Sequence, residues 1–286
     1  MKKIQLLAVL FISVLFASCS SSDDGGSSSA EDYFHYKLDG TDIELTTITA
    51  IRSGDSFEVL GQTAAGTSMY FSFNQYGDLN RAGNTPDNIS DVSWKNSAYE
   101  FSSHYFNFEL VSIDAANKKV KINYSGKLYE DEFDLDSAFS TVEGSLYVTY
   151  TDVVPQVAGL GVAAKIAGQD WHAVKSSTSI SNGLSSIIEN SDDEYQLSFY
   201  VDENTAVGNY TFNAASQDHK VVLSKYNTTT NEYVDYVGSG SITITENTSG
   251  IGYSLIVGTY SFTATNPNDN SQIQVTNGTI KEVYSF

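Results

Sequence analysis

"YFNFELVSI", residues 105–113, alternates in period two: Phe106, Phe108 and Leu110 fall on one face, and Tyr105, Asn107 and Glu109 on the other. Successive side chains of a strand point to opposite sides of a sheet, so the stretch predicts a half-buried β-strand whose phenylalanine face meets a core. The same rhythm recurs in both directions. "KLDGTDIELT" (37–46), "MYFSFNQ" (69–75), "KVKINYSG" (119–126), "GSLYVTY" (144–150), "GSITITEN" (240–247) and "GYSLIVGTYSFTA" (252–264) read alike, punctuated by Gly, Asn and Asp turns. No stretch sustains a helical period with caps. The fold class is therefore all-β, and 19 Tyr and 15 Phe beside 3 Pro agree with it.

The two halves of the chain also resemble each other. Lys37–Ile43 matches Lys165–Trp171, Tyr70–Phe73 matches Gln196–Phe199, Gly126 matches Gly258 and Gly144 matches Gly278, in the same order and 126 to 134 residues apart. This reads as a tandem duplication, residues 32–153 and 160–286, joined near Thr151–Gly161. Each copy is large enough to bury its own core. Strands with one apolar face need a second layer over it, so two antiparallel β-sandwich-like modules are expected. The strands "GSITITEN" and "GTYSFTATNPND", with "VTNGTI" after them, resemble the closing part of uncharacterised repeat domains in Bacteroidota lipoproteins. The opening of those domains, an apolar strand ending in an Asp-Gly turn, is similar to Leu38-Asp39-Gly40, whereas Ala167 stands in place of the Asp in the second copy. That resemblance implies a fold and a location, and no activity.

The N-terminus bears on location independently. Lys2 and Lys3 precede an apolar run, Ile4 to Ala17, shorter than the roughly 20 residues a spanning helix needs, so residues 1–18 read as a signal peptide. Leu15-Phe16-Ala17-Ser18-Cys19 resembles a bacterial lipobox with Phe16 where Leu is commoner. Cys19 has no partner for a disulfide, being the sole cysteine, and is expected to carry the lipid that anchors the chain to a membrane. Residues 19–31, rich in Ser, Asp and Gly, read as a tether, and their Ser/Asp pattern resembles the surface-export signature of Bacteroidota lipoproteins. The expected location is the outer membrane, facing the exterior.

A formal net charge of −20 and a pI near 4.3 exclude a nucleic-acid partner, since phosphates need a basic face. The four histidines show no metal-ligand spacing, and no nucleophile elbow, phosphate loop or dinucleotide fingerprint is present. No cofactor is expected. The densest oxygen cluster, with Asp131, Asp134 and Asp136, is a candidate calcium loop, or a solvated turn in which Phe133 and Leu135 alternate inward. Ser137 matches an Asp-Ser/Thr-aliphatic O-glycosylation acceptor. Trp94, Tyr226, Tyr233 and Tyr236 lie beside polar turns and are candidates for stacking on a ligand; a core or loop-anchoring role is the plainer reading of Trp94, and ordinary cross-strand pairing is an equal reading of the three tyrosines. Trp171 aligns with Ile43 and reads as core. These features point to a non-catalytic surface protein that binds a glycan or other extracellular ligand. The alternative is a structural or protein-interaction subunit, accessory or adhesive, at the outer membrane.

Overall fold

The computed structural model describes residues 31–85, 94–202, 204–249 and 254–284; the leader, Cys19 and tether residues 20–30 lie outside the described residues. The N-terminal half runs through β1 (Tyr33–Leu38), β2 (Thr41–Ile43), β3 (Thr47–Ser53), β4 (Ser56–Gln62), β5 (Ser68–Asn74), β6 (Leu79–Thr85) and β7 (Lys95–Asn96). After one helical turn, α1 (Ser102–Tyr105), come β8 (Phe106–Asp114), β9 (Lys119–Tyr129), β10 (Phe139–Thr149) and β11 (Thr151–Val153). All eleven join one sheet in the order β11-β3-β4-β5-β6-β7-β9-β10-β1-β2, with β8 beside β9. Every pairing is antiparallel except that of β11 with β3.

This sheet folds over on itself at β9. One edge of β9 bonds β8 through Lys119–Gly126, and the same edge meets Asn96 of β7 at Tyr129. A single strand thus borders both layers. Across the fold, Phe34 of β1 lies 6.1 Å from Phe71 of β5, and Tyr150 sets its ring edge-on to Phe57 of β4 at 5.2 Å. Phe106 is buried in this core with Phe108 and Leu110 packed against it, while Asn107 and Glu109 are exposed, as the alternation predicts. Where the half begins, Asp32 ties the first strand down. Its carboxylate accepts from Lys119 Nζ at 2.5 Å, Thr149 N at 2.9 Å and Thr149 Oγ1 at 3.0 Å.

The C-terminal half comprises β12 (Gly161–Ile166), β13 (Gln169–His172), β14 (Lys175–Ser181), β15 (Leu184–Asn190), β16 (Tyr195–Asp202), β17 (Gly208–Phe212) and β18 (Lys220–Asn227). Four further strands complete it: β19 (Glu232–Asp235), β20 (Val237–Ser249), β21 (Ser254–Thr265) and β22 (Gln272–Tyr284). They form two sheets, β13-β12-β22-β21-β20-β17 and β14-β15-β16-β18-β19. Both contribute to one core, in which Phe199 of β16 meets Tyr260 of β21 edge-on at 5.0 Å. This is a sandwich-like pair of layers. The orders β2-β1-β10-β9-β8 and β3-β4-β5-β6-β7 of the first half recur as β13-β12-β22-β21-β20 and β14-β15-β16-β18-β19.

Side chains follow the strand order. Tyr124 lies opposite Gly144 and donates to His35 O at 3.2 Å; Tyr260 lies opposite Gly278 and donates to Ala163 O at 3.1 Å. A Cβ on Gly144 would stand 2.1 Å from His35 O, and one on Gly278 2.4 Å from the Tyr260 ring, so each phenol lies flat on a glycine. The register corrects one sequence match. Gly126 faces Val142, two residues before Gly144, whereas Gly258 faces Ile280, two residues after Gly278. Those two glycines are not equivalent; Tyr124 and Tyr260 are. The opening turns are alike despite the Asp-to-Ala difference, with φ of 49° and 78° at Asp39-Gly40 and 51° and 84° at Ala167-Gly168. The left-handed region costs an L-residue about 1–2 kcal/mol. Asp39 offsets this by accepting from Thr141 N at 2.7 Å, which Ala167 cannot do.

Candidate functional site

The equivalent second layers differ on their outer faces. In the first half, cross-strand pairing sets Thr49, Leu60, Tyr70 and Gly83 in one row, continued by Asn96 of β7. In the second half the corresponding row is Lys175, Asn190, Gln196, Ser224 and Asp235. An aliphatic and an aromatic residue thus stand where the other half has two amides. Tyr70 lies flat because Gly83 has no side chain: a Cβ there would sit 2.4 Å from the ring. Its hydroxyl donates to Asn96 Oδ1, which fixes the ring on the sheet. Next to this row runs a second, Ile51, Glu58, Ser72 and Arg81.

The second half's face is covered. Residues 97–105, the connection from β7 to β8, lie across it as a strap. Lys175 Nζ donates to Tyr99 O and to Ser102 Oγ at 3.5 Å and stands 4.9 Å from the Tyr99 ring. Phe101 meets Tyr226 edge-on at 6.2 Å, and Ser103 donates through N and Oγ to Asp192 O at 2.9 and 2.8 Å. Phe101 holds a φ of 42°, a left-handed backbone that a bulky residue adopts only when its surroundings impose it. Among the described residues nothing comparable covers the first half, because β19 and β20 are joined through Tyr236 alone. Its face opens instead on a cleft of about 800 Å³, lined by Leu60, Tyr70, Arg81, Glu58, Tyr99 and Lys175 among others. That volume is in the range of small-molecule sites.

A second, smaller cleft of about 340 Å³ lies along the same seam and includes Tyr76, His172, Glu189 and Glu282. Tyr76 stacks on His172 with 3.6 Å between centroids, and His172 Nδ1 is 3.8 Å from Asp78 Oδ2. Leu79 N donates to Asp192 Oδ2 at 3.1 Å. The seam is rich in carboxyls that are partly or wholly withdrawn from water. Burial lifts Asp192 to about 6 and both Asp193 and Glu282 to about 7. It also lifts Asp78, Glu100, Glu132 and Glu189 above the ordinary carboxylate range. Burial pulls Lys175 down to about 8, against the carboxylates of Glu100, Asp192 and Glu132. Arg81 donates to Glu132 Oε1 at 2.5 Å, while Oε2 of Glu132 and of Glu100 are buried without a hydrogen-bond partner.

The residues singled out by sequence are placed as follows. Trp94 is 52% exposed, just before β7. Tyr226 and Tyr236 are buried, a correction to their reading as ligand-stacking residues. Tyr226 packs under the strap against Phe101 and Tyr233, and Tyr236 belongs to the second core. Tyr233 is half-buried and donates to Asn190 Oδ1 at 3.3 Å, so it too serves the seam. Trp171 is core, with its indole N–H on Asp193 Oδ1 at 3.1 Å. In the acidic loop, Asp131 accepts from Phe133 N and Asp134 from Asp136 N, each at 3.0 Å, as in ordinary Asx turns. Asp136 is exposed, and Ser137 Oγ exchanges hydrogen bonds with the Asp131 backbone at 3.2 Å. Among the described residues no group of three or more His, Cys, Asp or Glu is arranged to hold a metal ion. Cys19 lies outside the described residues.

The cleft residues were not singled out by sequence reasoning. Alternation in "MYFSFNQ" places Tyr70 and Ser72 on the outer face, which is the one signal available. The glycine beneath Tyr70 sits on a different strand, and only pairing brings the two together. No helix of the described residues is long and apolar enough to cross a membrane, which leaves a lipid anchor untouched. No curated protein and no solved structure matches the chain. One family model does match: residues 161–284, the second half of the molecule, are similar to a domain of unknown function, DUF6252.

Proposed function

We propose that this is a non-catalytic, lipid-anchored protein of the outer membrane, facing the exterior through Cys19 and its tether, built from a duplicated module. We propose further that it binds a glycan or a comparable extracellular ligand in the cleft between its halves. One observation carries the reading. The two halves share a strand order, yet one presents a Leu60–Tyr70 platform to an about 800 Å³ cleft where the other's face is amide-rich and strapped over. A flat aromatic ring flanked by hydroxyl, amide and charged side chains suits a sugar face, whose C–H side stacks and whose hydroxyls find donors and acceptors.

The test is retention of the full chain, purified in detergent, on a panel of immobilised polysaccharides. Retention on at least one glycan class is expected, weakened at least tenfold by Tyr70→Ala and left within twofold by Trp94→Ala. Silence across the panel overturns ligand capture and favours the structural, protein-interaction role, to be pursued by crosslinking on intact cells.

A further inference from the structure

Away from the cleft, the two halves also differ at a strand edge. We propose that two copies of this chain pair through the outer edge of β8, with Phe106–Leu110 running antiparallel to the same residues of the second copy about a two-fold axis at Phe108.

β8 and β20 are equivalent residue by residue. Phe108 faces Tyr124 as Ile242 faces Tyr260, and each strand carries a bulge at the same place, after Leu110 and after Ile244. In the second half, β17 pairs with the outer edge of β20 from Gly240 to Ile244 and stops at the bulge. Phe106–Leu110 is the matching stretch, and among the described residues no strand pairs with its outer edge. The cause is a loop length. β17 lies in the connection from β16 to β18, and the corresponding connection, from β5 to β6, is residues 75–78 alone. Burial records the difference: Ile242 and Ile244 are 0% exposed beside β17, whereas Phe108 and Leu110 are only partly buried and Val111, at the bulge, is 41% exposed. Such an edge holds unpaired backbone N–H and C=O groups and is a template for a further strand. Lysine and proline, which commonly deter pairing, are both absent from β8.

The strand that suits this edge is β8 itself. In the antiparallel register centred on Phe108, Phe106 faces Leu110 and Phe108 faces its own copy, all three on the core side. On the outer side Glu109 faces Asn107, so each carboxylate meets an amide instead of a second carboxylate. Glu109 Oε2 already accepts from Asn123 Nδ2 on β9 at 2.8 Å, and its Oε1 has no hydrogen-bond partner among the described residues. Centring the pair on Glu109 instead would set like charges opposite each other and draw the bulge at Val111 into the ladder. A two-fold pair uses the same patch on both copies and closes, so growth stops at two. Five residues a side bury less than the roughly 1,200–2,000 Å² of a stable complex, so the association is weak, on the order of 10–100 μM. Each copy carries a net charge of −20, and added salt screens that repulsion.

Sedimentation equilibrium of the full chain in density-matched detergent, with micelles in large excess, tests the pairing. A monomer–dimer equilibrium is expected, tightening at least threefold between about 50 and 500 mM NaCl. Asn107→Glu, at an exposed position, sets a second carboxylate opposite Glu109 and should weaken the dimer at least tenfold. Asn107→Lys should tighten it at least threefold at low salt. Gln272→Glu, the same change of charge at an exposed position of β22, should leave it within twofold. Disulfide trapping supplies a second readout: Asn107→Cys chains mixed with Glu109→Cys chains should crosslink to each other in preference to themselves. A chain that stays monomeric at about 1 mM overturns the inference, and so does a dimer that Asn107→Glu leaves intact. A monomer that instead binds an added peptide of residues 207–213, which contains the β17 sequence, at this edge also overturns it and assigns the edge to a foreign strand.

Discussion

The halves of this molecule share a strand order and differ in how the layers are joined. In the first, β9 bonds β8 and β7 along the same edge and carries one sheet around the core; in the second, the corresponding strands close into two separate sheets. The first half's connection between β7 and β8 is long enough to lie across its neighbour, and the second half's counterpart is a single residue. The difference teaches that one topology supports two surfaces. Where the connection is long, it covers the amide-rich face of the adjacent half; where it is short, it leaves the aromatic face opposite uncovered by any strap among the described residues. Asymmetry of loops, rather than of strands, makes the cleft.

The comparison is broken most severely at its shared feature, the phenol lying on a glycine. Gly144→Ala drives a Cβ against backbone, His35 O, whereas Gly278→Ala drives it against the Tyr260 ring. Backbone in a sheet cannot step aside, so Gly144→Ala should cost about 3 kcal/mol and Gly278→Ala about half of that. Urea unfolding of each variant measures the two costs; equal values would show that both halves relax alike.

A smaller effect sharpens the role of the contact between β6 and Asp192. Asp192→Ala removes the acceptor of Leu79 N and leaves a buried N–H unpaired, a loss of about 1–3 kcal/mol. Because the contact joins the halves, the expected signature is a split of one thermal transition into two by calorimetry. A single transition at lower temperature would mean that the halves remain coupled without it.

The smallest effect distinguishes the seam from the cores by pH. Asp192, Asp193 and Glu282 have folded-state values of about 6 to 7, above the roughly 4 of an unfolded carboxyl. The folded protein therefore holds more protons than the unfolded chain between those limits. The stability so gained is complete below about pH 4 and is lost as pH rises through 6 and 7. The melting temperature should fall by about 5 °C from pH 5 to pH 8. Lys175, depressed to about 8, acts in the opposite sense and only above that pH. Asp192→Asn with Asp193→Asn and Glu282→Gln should flatten the slope; an unchanged slope would place its origin outside these three groups.

Much of the fold could be read from alternation alone, because strand burial has a period that sequence displays directly. The buried Phe106 and the exposed Asn107 and Glu109 follow from it, as does Trp171 in the core. Long-range choices could not be read. Whether β9 bonds one neighbour or two depends on where β7 ends up, and no local signal carries that. Tyr226 looked exposed because it flanks a polar turn; the strap that buries it comes from residues some 120 positions earlier. Lys175 carries no signal of its own in the sequence, and only the arrival of Tyr99 and Ser102 makes it part of a cleft.

Asp32 stands where residues 1–31 hand over to the folded strands, and this gives its three hydrogen bonds a mechanical meaning. A pull on the chain ahead of Asp32 reaches this clamp before it reaches the ladder between β1 and β10. The clamp is expected to act as a fuse, giving way before the ladder does. Burial alone would raise the Asp32 carboxyl, but Lys119 and Thr149 hold it below its ordinary value. Mild acid, which tightens the seam, therefore leaves the fuse intact. In a single-molecule pulling trace it would register as a small early step that Asp32→Ala erases.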